Sequence, residues 1–282
     1  MADPLPPLRD VIREHGLIAD KKFGQNFLLD SNITDKIARH AAIACGHTET
    51  GLSDKHVIEI GPGPGGLTRS LLKKDVVSLT AIEFDPRAVA VIHDLNQYFE
   101  QRIDVVEADA LEIDLIQHVS APRVIVANLP YNIATPLLIG WLKQIRESSD
   151  HYDAMILMFQ KEVAQRICAH VGDKAYGRLS VISNWLCDTK KLFDLPPSAF
   201  TPAPKVTSSV VQLIPRAFDK DAPSFAAVEA VTGSAFGQRR KMLRSSLKAY
   251  ADEMRACEID ETLRAENLPV ESYIRLAKAL ID

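Results

Sequence analysis

Cysteine is scarce in this 282-residue chain, and the four present, Cys45, Cys168, Cys187 and Cys257, lie far apart with no CxxC pair. That pattern excludes a disulfide-stapled scaffold and predicts reduced thiols in a cytoplasmic protein. Long apolar runs are missing too, and no segment approaches the length needed to cross a bilayer. The start, Met1 to Pro7, lacks a basic flank followed by an apolar stretch, so no secretory leader is expected. Excess charge of either sign is absent. With 33 Lys and Arg against 37 Asp and Glu, net −4, any surface for a polyanion must be local. There is no internal repeat and no low-complexity tract. What is there, 46% hydrophobic residues in a chain of this length, suffices for a large core.

Between residues 56 and 160, short β-rich apolar runs alternate with helical stretches, the pattern of a parallel sheet wrapped by helices. The expected strands are Val57–Ile60, Leu79–Ile82, Val105–Glu107, Val124–Ala127 and Ala154–Phe159. Helices are expected over Leu67–Leu72 and over Pro86–Tyr98, where Pro86 suits a first turn and Val89, Ile92 and Leu95 share one face. Another is expected over Asp30–Ala44, with Ser31 or Asn32 as its cap. The proline-rich stretch Pro196–Pro204 reads as a rigid loop carrying one large aromatic, Phe200. Val206–Ile214 reads as a last strand ended by Pro215, and from about Ala222 the pattern is helical to the end. A boundary near Arg216 then divides a larger α/β domain, residues 1–216, from a small all-α domain, residues 217–282.

The chemistry concentrates at the carboxyl ends of the strands. Glu59-Ile60-Gly61-Pro62-Gly63-Pro64-Gly65-Gly66 follows the first strand and precedes a helix, so the backbone there can approach a ligand closely. By itself this also fits a dinucleotide dehydrogenase. Glu83 ends the next strand, where a carboxylate can accept both hydroxyls of a ribose; Asp109 follows the third, where it can take the amino group of an adenine. No pyrophosphate-binding residue and no Cys, His or Tyr-Lys hydride partner is evident. The set suits S-adenosylmethionine better. After the fourth strand comes Asn128-Leu129-Pro130-Tyr131. An adenine 6-amino group is a poor nucleophile because its lone pair is delocalised into the ring. The amide oxygen of Asn128 and a main-chain carbonyl beside Pro130 can each accept one amine hydrogen, which favours a pyramidal nitrogen. Tyr131 can hold the base by its face, and Pro130 helps aim the Leu129 carbonyl out of the strand end. The reaction then needs positioning and electrostatics, with no metal and no covalent intermediate.

With these residues in view, the chain resembles the ribosomal small-subunit (16S) rRNA adenine dimethyltransferases over nearly its whole length. The blocks that carry the resemblance are Lys21–Leu28, Glu59–Thr68, Asn128–Asn132, Gln160–Arg166, Tyr176–Val181 and Phe200–Ser208. Gly65-Gly66 and Ala203 occupy positions where that family varies. The resemblance implies a Rossmann-like class I methyltransferase sheet wrapped by helices, with S-adenosylmethionine as cofactor. It implies that Asn26 and Leu28 close over the cofactor, that Gly61 underlies it, and that Glu83 and Asp109 bind its ribose and adenine. Asn128 would stand between cofactor and target, and Tyr131 and Phe200 would sandwich the target adenine, a contact worth about 1–3 kcal/mol per stacked base. The implied reaction is dimethylation of two adjacent adenosines in a hairpin loop near the 3′ end of 16S rRNA, within ribosome biogenesis.

The large-subunit rRNA methyltransferases that confer macrolide resistance share all but the C-terminal blocks. Ala235–Leu247 is similar to the small-subunit enzymes and unlike those. On a continuous helix Arg240, Arg244 and Lys248 would form one basic stripe, with Leu243, Leu247 and Tyr250 facing elsewhere. No acid lies between Thr232 and Ala251. The stripe, with Arg239 beside it and Lys21 and Lys22 near the site mouth, reads as an RNA phosphate contact. The expected partner is the small ribosomal subunit and its 16S rRNA, met by a monomer without metal or membrane. Rival readings are a DNA adenine methyltransferase, for which the tail leaves little room for a recognition domain, and a non-catalytic assembly factor. A mitochondrial transcription-factor relative would need an Arg-rich presequence that is missing here.

Overall fold

The computed structural model describes residues 5–17, 25–46, 48, 52–219, 221–238 and 240–280. Nine strands are found among them: β1 Phe27–Leu28, β2 His56–Ile60, β3 Ser78–Glu83, β4 Ile103–Glu107, β5 Arg123–Asn128, β6 Ala154–Gln160, β7 Cys187–Leu195, β8 Phe200–Thr201 and β9 Ser208–Pro215. The helices of the first part are α1 Leu8–Glu14, α2 Ser31–Ala44, α3 Gly66–Leu72, α4 Pro86–Asn96, α5 Leu115–His118, α6 Ala134–Glu147, α7 Lys161–Ile167 and α8 Arg178–Leu186. After Arg216 come α9 Phe225–Gly237, α10 Leu243–Ser246, α11 Ala251–Ala256 and α12 Val270–Lys278.

Seven strands form one sheet in the order β4-β3-β2-β5-β6-β9-β7. The first five are parallel; β9 runs antiparallel to both β6 and β7. Alternation along the strands sends side chains to two cores. Val57, Val124 and Val126 pack on one face with α2, α3 and α4, whereas Ile58, Ile60, Ile125 and Ala127 pack on the other with α6, α8 and the C-terminal helices. Chain order reverses between β2 and β5, so their carboxyl ends diverge and leave a crevice between the loops that follow them.

Most expected elements stand within a residue or two of their predicted ends, and several details differ. The cap of α2 is Asp30, whose carboxylate accepts the Asn32 N–H at 2.9 Å, in place of Ser31 or Asn32, which lie inside the first turn. Strand β7 was not expected: Cys187–Leu195 mixes Asp and Lys with apolar residues, the composition of a sheet edge. Phe200 is not in a bare loop, because β8 pairs with β1 through Leu28↔Phe200. The C-terminal part is helical in short pieces. A turn separates α9 from α10: Gly237 ends the first helix, Met242 is extended and bridges Arg264, and Leu243 N–H bonds the Leu263 carbonyl. Among the described residues no helix is long and apolar enough to cross a membrane.

Candidate active site

A cavity of about 250 Å³ opens where β2 and β5 diverge. Its floor is the turn Gly61–Pro64. Gly61, Gly63 and Gly65 all have positive φ (67°, 52° and 81°), a backbone that side chains disfavour. The roof is β1 with the two residues before it, and it sits very close: a Cβ on Gly63 would lie 3.0 Å from the Phe27 ring, and one on Gly66 would lie 2.7 Å from the Leu28 carbonyl oxygen. Glycine is therefore what lets the N-terminal segment lie flat over the turn.

Carboxylates line the next two loops. Glu83 is buried at the end of β3, its oxygens accepting N–H groups of Phe84 and Asp85 at 2.9 Å and of Gly63 at 3.3 Å. Burial pushes this carboxyl up, and those three N–H donors pull it back. Asp109 lines the cavity two residues beyond β4, oriented by the Leu111 N–H at 2.9 Å. Two further acids line the wall that sequence reasoning did not single out. Asp85 caps α4 and accepts Gln25 Nε2 at 3.2 Å, tying the roof to the far wall. Glu59, 1% exposed, accepts the Thr68 hydroxyl at 2.7 Å, and desolvation raises its pKa to about 8. The signals in the sequence were the place of Glu59 before the glycines and of Asp85 before Pro86. Phe84, a 59% exposed aromatic on the same wall, gave no periodic signal.

Asn128 closes β5 and lines the cavity. Its Nδ2 donates one hydrogen to the Asn26 carbonyl at 3.0 Å, which fixes the orientation of the amide and places Oδ1, its acceptor, on the opposite side. The Pro130 carbonyl is taken by the Ile133 and Ala134 N–H groups at the start of α6, and Leu129 lines the cavity beside it. Tyr131 stands on the same wall, its hydroxyl 2.6 Å from Ser208 Oγ. Asn26, Leu28, Gly61, Glu83, Asp109, Asn128 and Tyr131 thus meet around one cavity. Phe200 does not join them. It is 4% exposed and packs in the core behind Leu28, where pairing of β8 with β1 buries the ring.

A family model for ribosomal RNA adenine dimethylase matches residues 17–282. The chain belongs to that family. It is 54% identical to the ribosomal RNA small subunit methyltransferase A of Rhodopseudomonas palustris (strain HaA2), over 99% of this chain and 96% of that protein. It is 50% identical to the protein of the same name from Rhodospirillum rubrum, over 99% and 93%. The crystal structure of a dimethyladenosine transferase from Plasmodium falciparum superposes with a TM-score of 0.73 at 26% identity, covering 88% of this chain and 94% of that one. The 23S rRNA methyltransferase ErmE shares the fold, with a TM-score of 0.65 at 24% identity over 91% and 100%. The fold is that of the class I methyltransferases, and the dehydrogenase and DNA-methyltransferase readings fall away.

The adenine dimethylase cofactor is S-adenosylmethionine, and the cavity fits it. Acids at the end of β3 and just beyond β4 match the hydroxyls and amine of a nucleoside, the glycines of the turn admit a close backbone approach, and Phe27 and Leu28 line the roof. Among the described residues no group of three or more His, Cys, Asp or Glu is placed to hold a metal ion. Away from the cavity, Arg240, Arg244 and Lys248 are exposed, but they do not ride one helix: Arg240 lies in the turn between α9 and α10, Arg244 is on α10 and Lys248 begins a separate 3-10 turn. Buried Leu243 and Leu247 fix those turns instead. Lys21, Lys22 and Arg239 lie outside the described residues.

Proposed function

We propose that this enzyme dimethylates the 6-amino groups of two adjacent adenosines in a hairpin loop near the 3′ end of 16S rRNA, within the small ribosomal subunit. The observation that carries the reading is the anchored carboxamide of Asn128: with Nδ2 held by the Asn26 carbonyl, Oδ1 is preset as an acceptor at the cavity wall. When bound, S-adenosylmethionine supplies an electrophilic methyl group on sulfur. Asn26, Leu28, Gly61, Glu83 and Asp109 would hold it. Asn128 Oδ1 and the Leu129 carbonyl would accept the amine hydrogens and draw the nitrogen lone pair out of the ring. A neutral amide also tolerates the monomethylated amine, which retains one hydrogen for the second round.

Tyr131 would take one face of the target purine. Phe200 is assigned the other face, which it reaches only by leaving the core behind Leu28. The base must be unstacked to enter, which favours a loop over a continuous duplex. Residues 217–282 are assigned as a helical rRNA-binding domain on the catalytic domain 1–216, with Arg240, Arg244 and Lys248, joined by Lys21, Lys22 and Arg239, contacting phosphates. The same-named small-subunit relatives at 50–54% identity support the small subunit over the large. A monomer acting in the cytoplasm completes the reading. The test is to incubate the protein and methyl-labelled S-adenosylmethionine with undermethylated small subunits, large subunits, free rRNA and DNA, then map the label. Two dimethylated adenosines in small-subunit rRNA are expected; label confined to large subunits or DNA would overturn the assignment.

A further inference from the structure

Ser208 has no part in the chemistry described so far, yet its surroundings are unusually determined. It is fully buried as the first residue of β9 and stands in register with Gln160 of β6 on one side and Leu195 of β7 on the other. Its backbone is therefore fixed from both sides. From that fixed point its hydroxyl meets the Tyr131 hydroxyl at 2.6 Å, 77 residues away in sequence. Tyr131 itself sits on a turn whose main chain is held by the Pro130 carbonyl, through the N–H groups of Ile133 at 3.2 Å and Ala134 at 3.0 Å. The root of the side chain is thus pinned by the turn and its tip by Ser208. A tyrosine fixed at both ends keeps one ring plane and one position.

We infer that Ser208 is a positioning residue that locks the Tyr131 ring in the orientation that receives the target adenine. This rests on the proposed function of the site, in which Tyr131 takes a face of the purine. Stacking demands a defined plane, and a ring free to swing would have to be immobilised at each binding event. The arrangement repeats the logic of Asn128, whose amide is tied to the Asn26 carbonyl. One gripping group is fixed by the N-terminal segment and the other by β9.

The experiment is a double-mutant cycle on undermethylated small subunits, with Ser208→Ala, Tyr131→Phe and the pair. Each single change removes the same hydrogen bond and keeps an aromatic ring at 131. Each is expected to raise KM for the subunit several-fold with S-adenosylmethionine affinity unchanged, and the pair to lose no more than the worse single variant. Ser208→Thr, which retains a hydroxyl, is expected to recover part of the loss. Multiplying losses in the pair, an unchanged KM in Ser208→Ala, or a loss shared equally by cofactor affinity would overturn the inference. Failure of the wild-type protein to label small subunits would instead bring down the function on which the inference rests. If Ser208→Ala does not fold, Tyr131→Phe alone decides: the unchanged KM of a variant with an intact ring would rule the lock out.

Discussion

At the scale of single residues, the site is a set of side chains held in place by hydrogen bonds to other segments of the chain. Asn128 is the clearest case. Asn128→Ala removes an acceptor aimed at developing charge, a change that costs about 10²–10³-fold in kcat; equilibrium binding of S-adenosylmethionine should weaken far less, and equal losses would remove the residue from the transfer step. Glu59 gives a pH signature. Its folded pKa, about 8, lies above the usual carboxylate value because burial penalises the charge. The folded state therefore holds a proton that the unfolded chain has released, and the stability it lends is complete below the unfolded pKa and lost as pH rises through about 8. Thermal midpoints should fall across that window in the wild type and fall less in Glu59→Gln, which keeps an acceptor for Thr68. Parallel curves for the two proteins would refute the assignment. Gly66→Ala would place a methyl group 2.7 Å from the Leu28 carbonyl, so β1 must shift, and a loss of about 1–3 kcal/mol in stability with weaker cofactor binding is expected.

At the scale of elements, the two-residue ribbon of β1 and β8 joins the cofactor roof to the proline-rich loop. Phe200 fills the core beneath it, so Phe200→Ala should cost about 3–5 kcal/mol by leaving a cavity. Phe200→Leu, which refills most of that space, separates packing from base stacking: restored stability with a raised KM for RNA supports the stacking role, and full recovery of both leaves Phe200 a packing residue only. The broken helix after Gly237 changes the expectation for the basic segment. Arg240 and Arg244 present charge from a turn and a single helical turn, not from a regular stripe. Replacing both should still reduce the log–log salt slope of RNA binding by about 2, and an unaltered slope would take them off the interface.

At the scale of the whole molecule, one apolar core crosses the boundary at Arg216. Phe225, Val228 and Val231 of α9 and Tyr273 and Leu276 of α12 pack in the same cluster as Ile58, Trp141 and Trp185. Arg146 fastens the linker, donating to the Pro223 carbonyl at 2.8 Å and lying 4.9 Å from the centre of the Phe218 ring. The proposed C-terminal domain is thus a functional division laid over a shared core. The full chain is expected to unfold in one calorimetric transition, and a chain ending at Arg216 to bind apolar dyes and aggregate, because it exposes that face. Two separate transitions would show independent domains.

Elements whose cause is local could be read directly from the residues. Alternating apolar runs specify β2 to β6, since each strand must bury both faces, and glycines and acids at the strand ends specify a nucleoside-binding edge. The sequence also places the proposed Asn128–Tyr131 acceptors and ring together, because amide, carbonyl and ring are neighbours in the chain. Features that depend on distant partners emerged with the packed fold. Edge strand β7 has too mixed a composition to announce itself and exists because β9 offers it a ladder. The break after Gly237 follows from Met242 meeting Arg264, and the burial of Phe200 from pairing with Leu28. The anchors of Asn128 and Tyr131, at Asn26 and Ser208, lie 102 and 77 residues away. Hydrogen bonds of that span leave no periodic trace in a sequence, so the residues proposed to do the chemistry are legible in it and the bonds that anchor them are not.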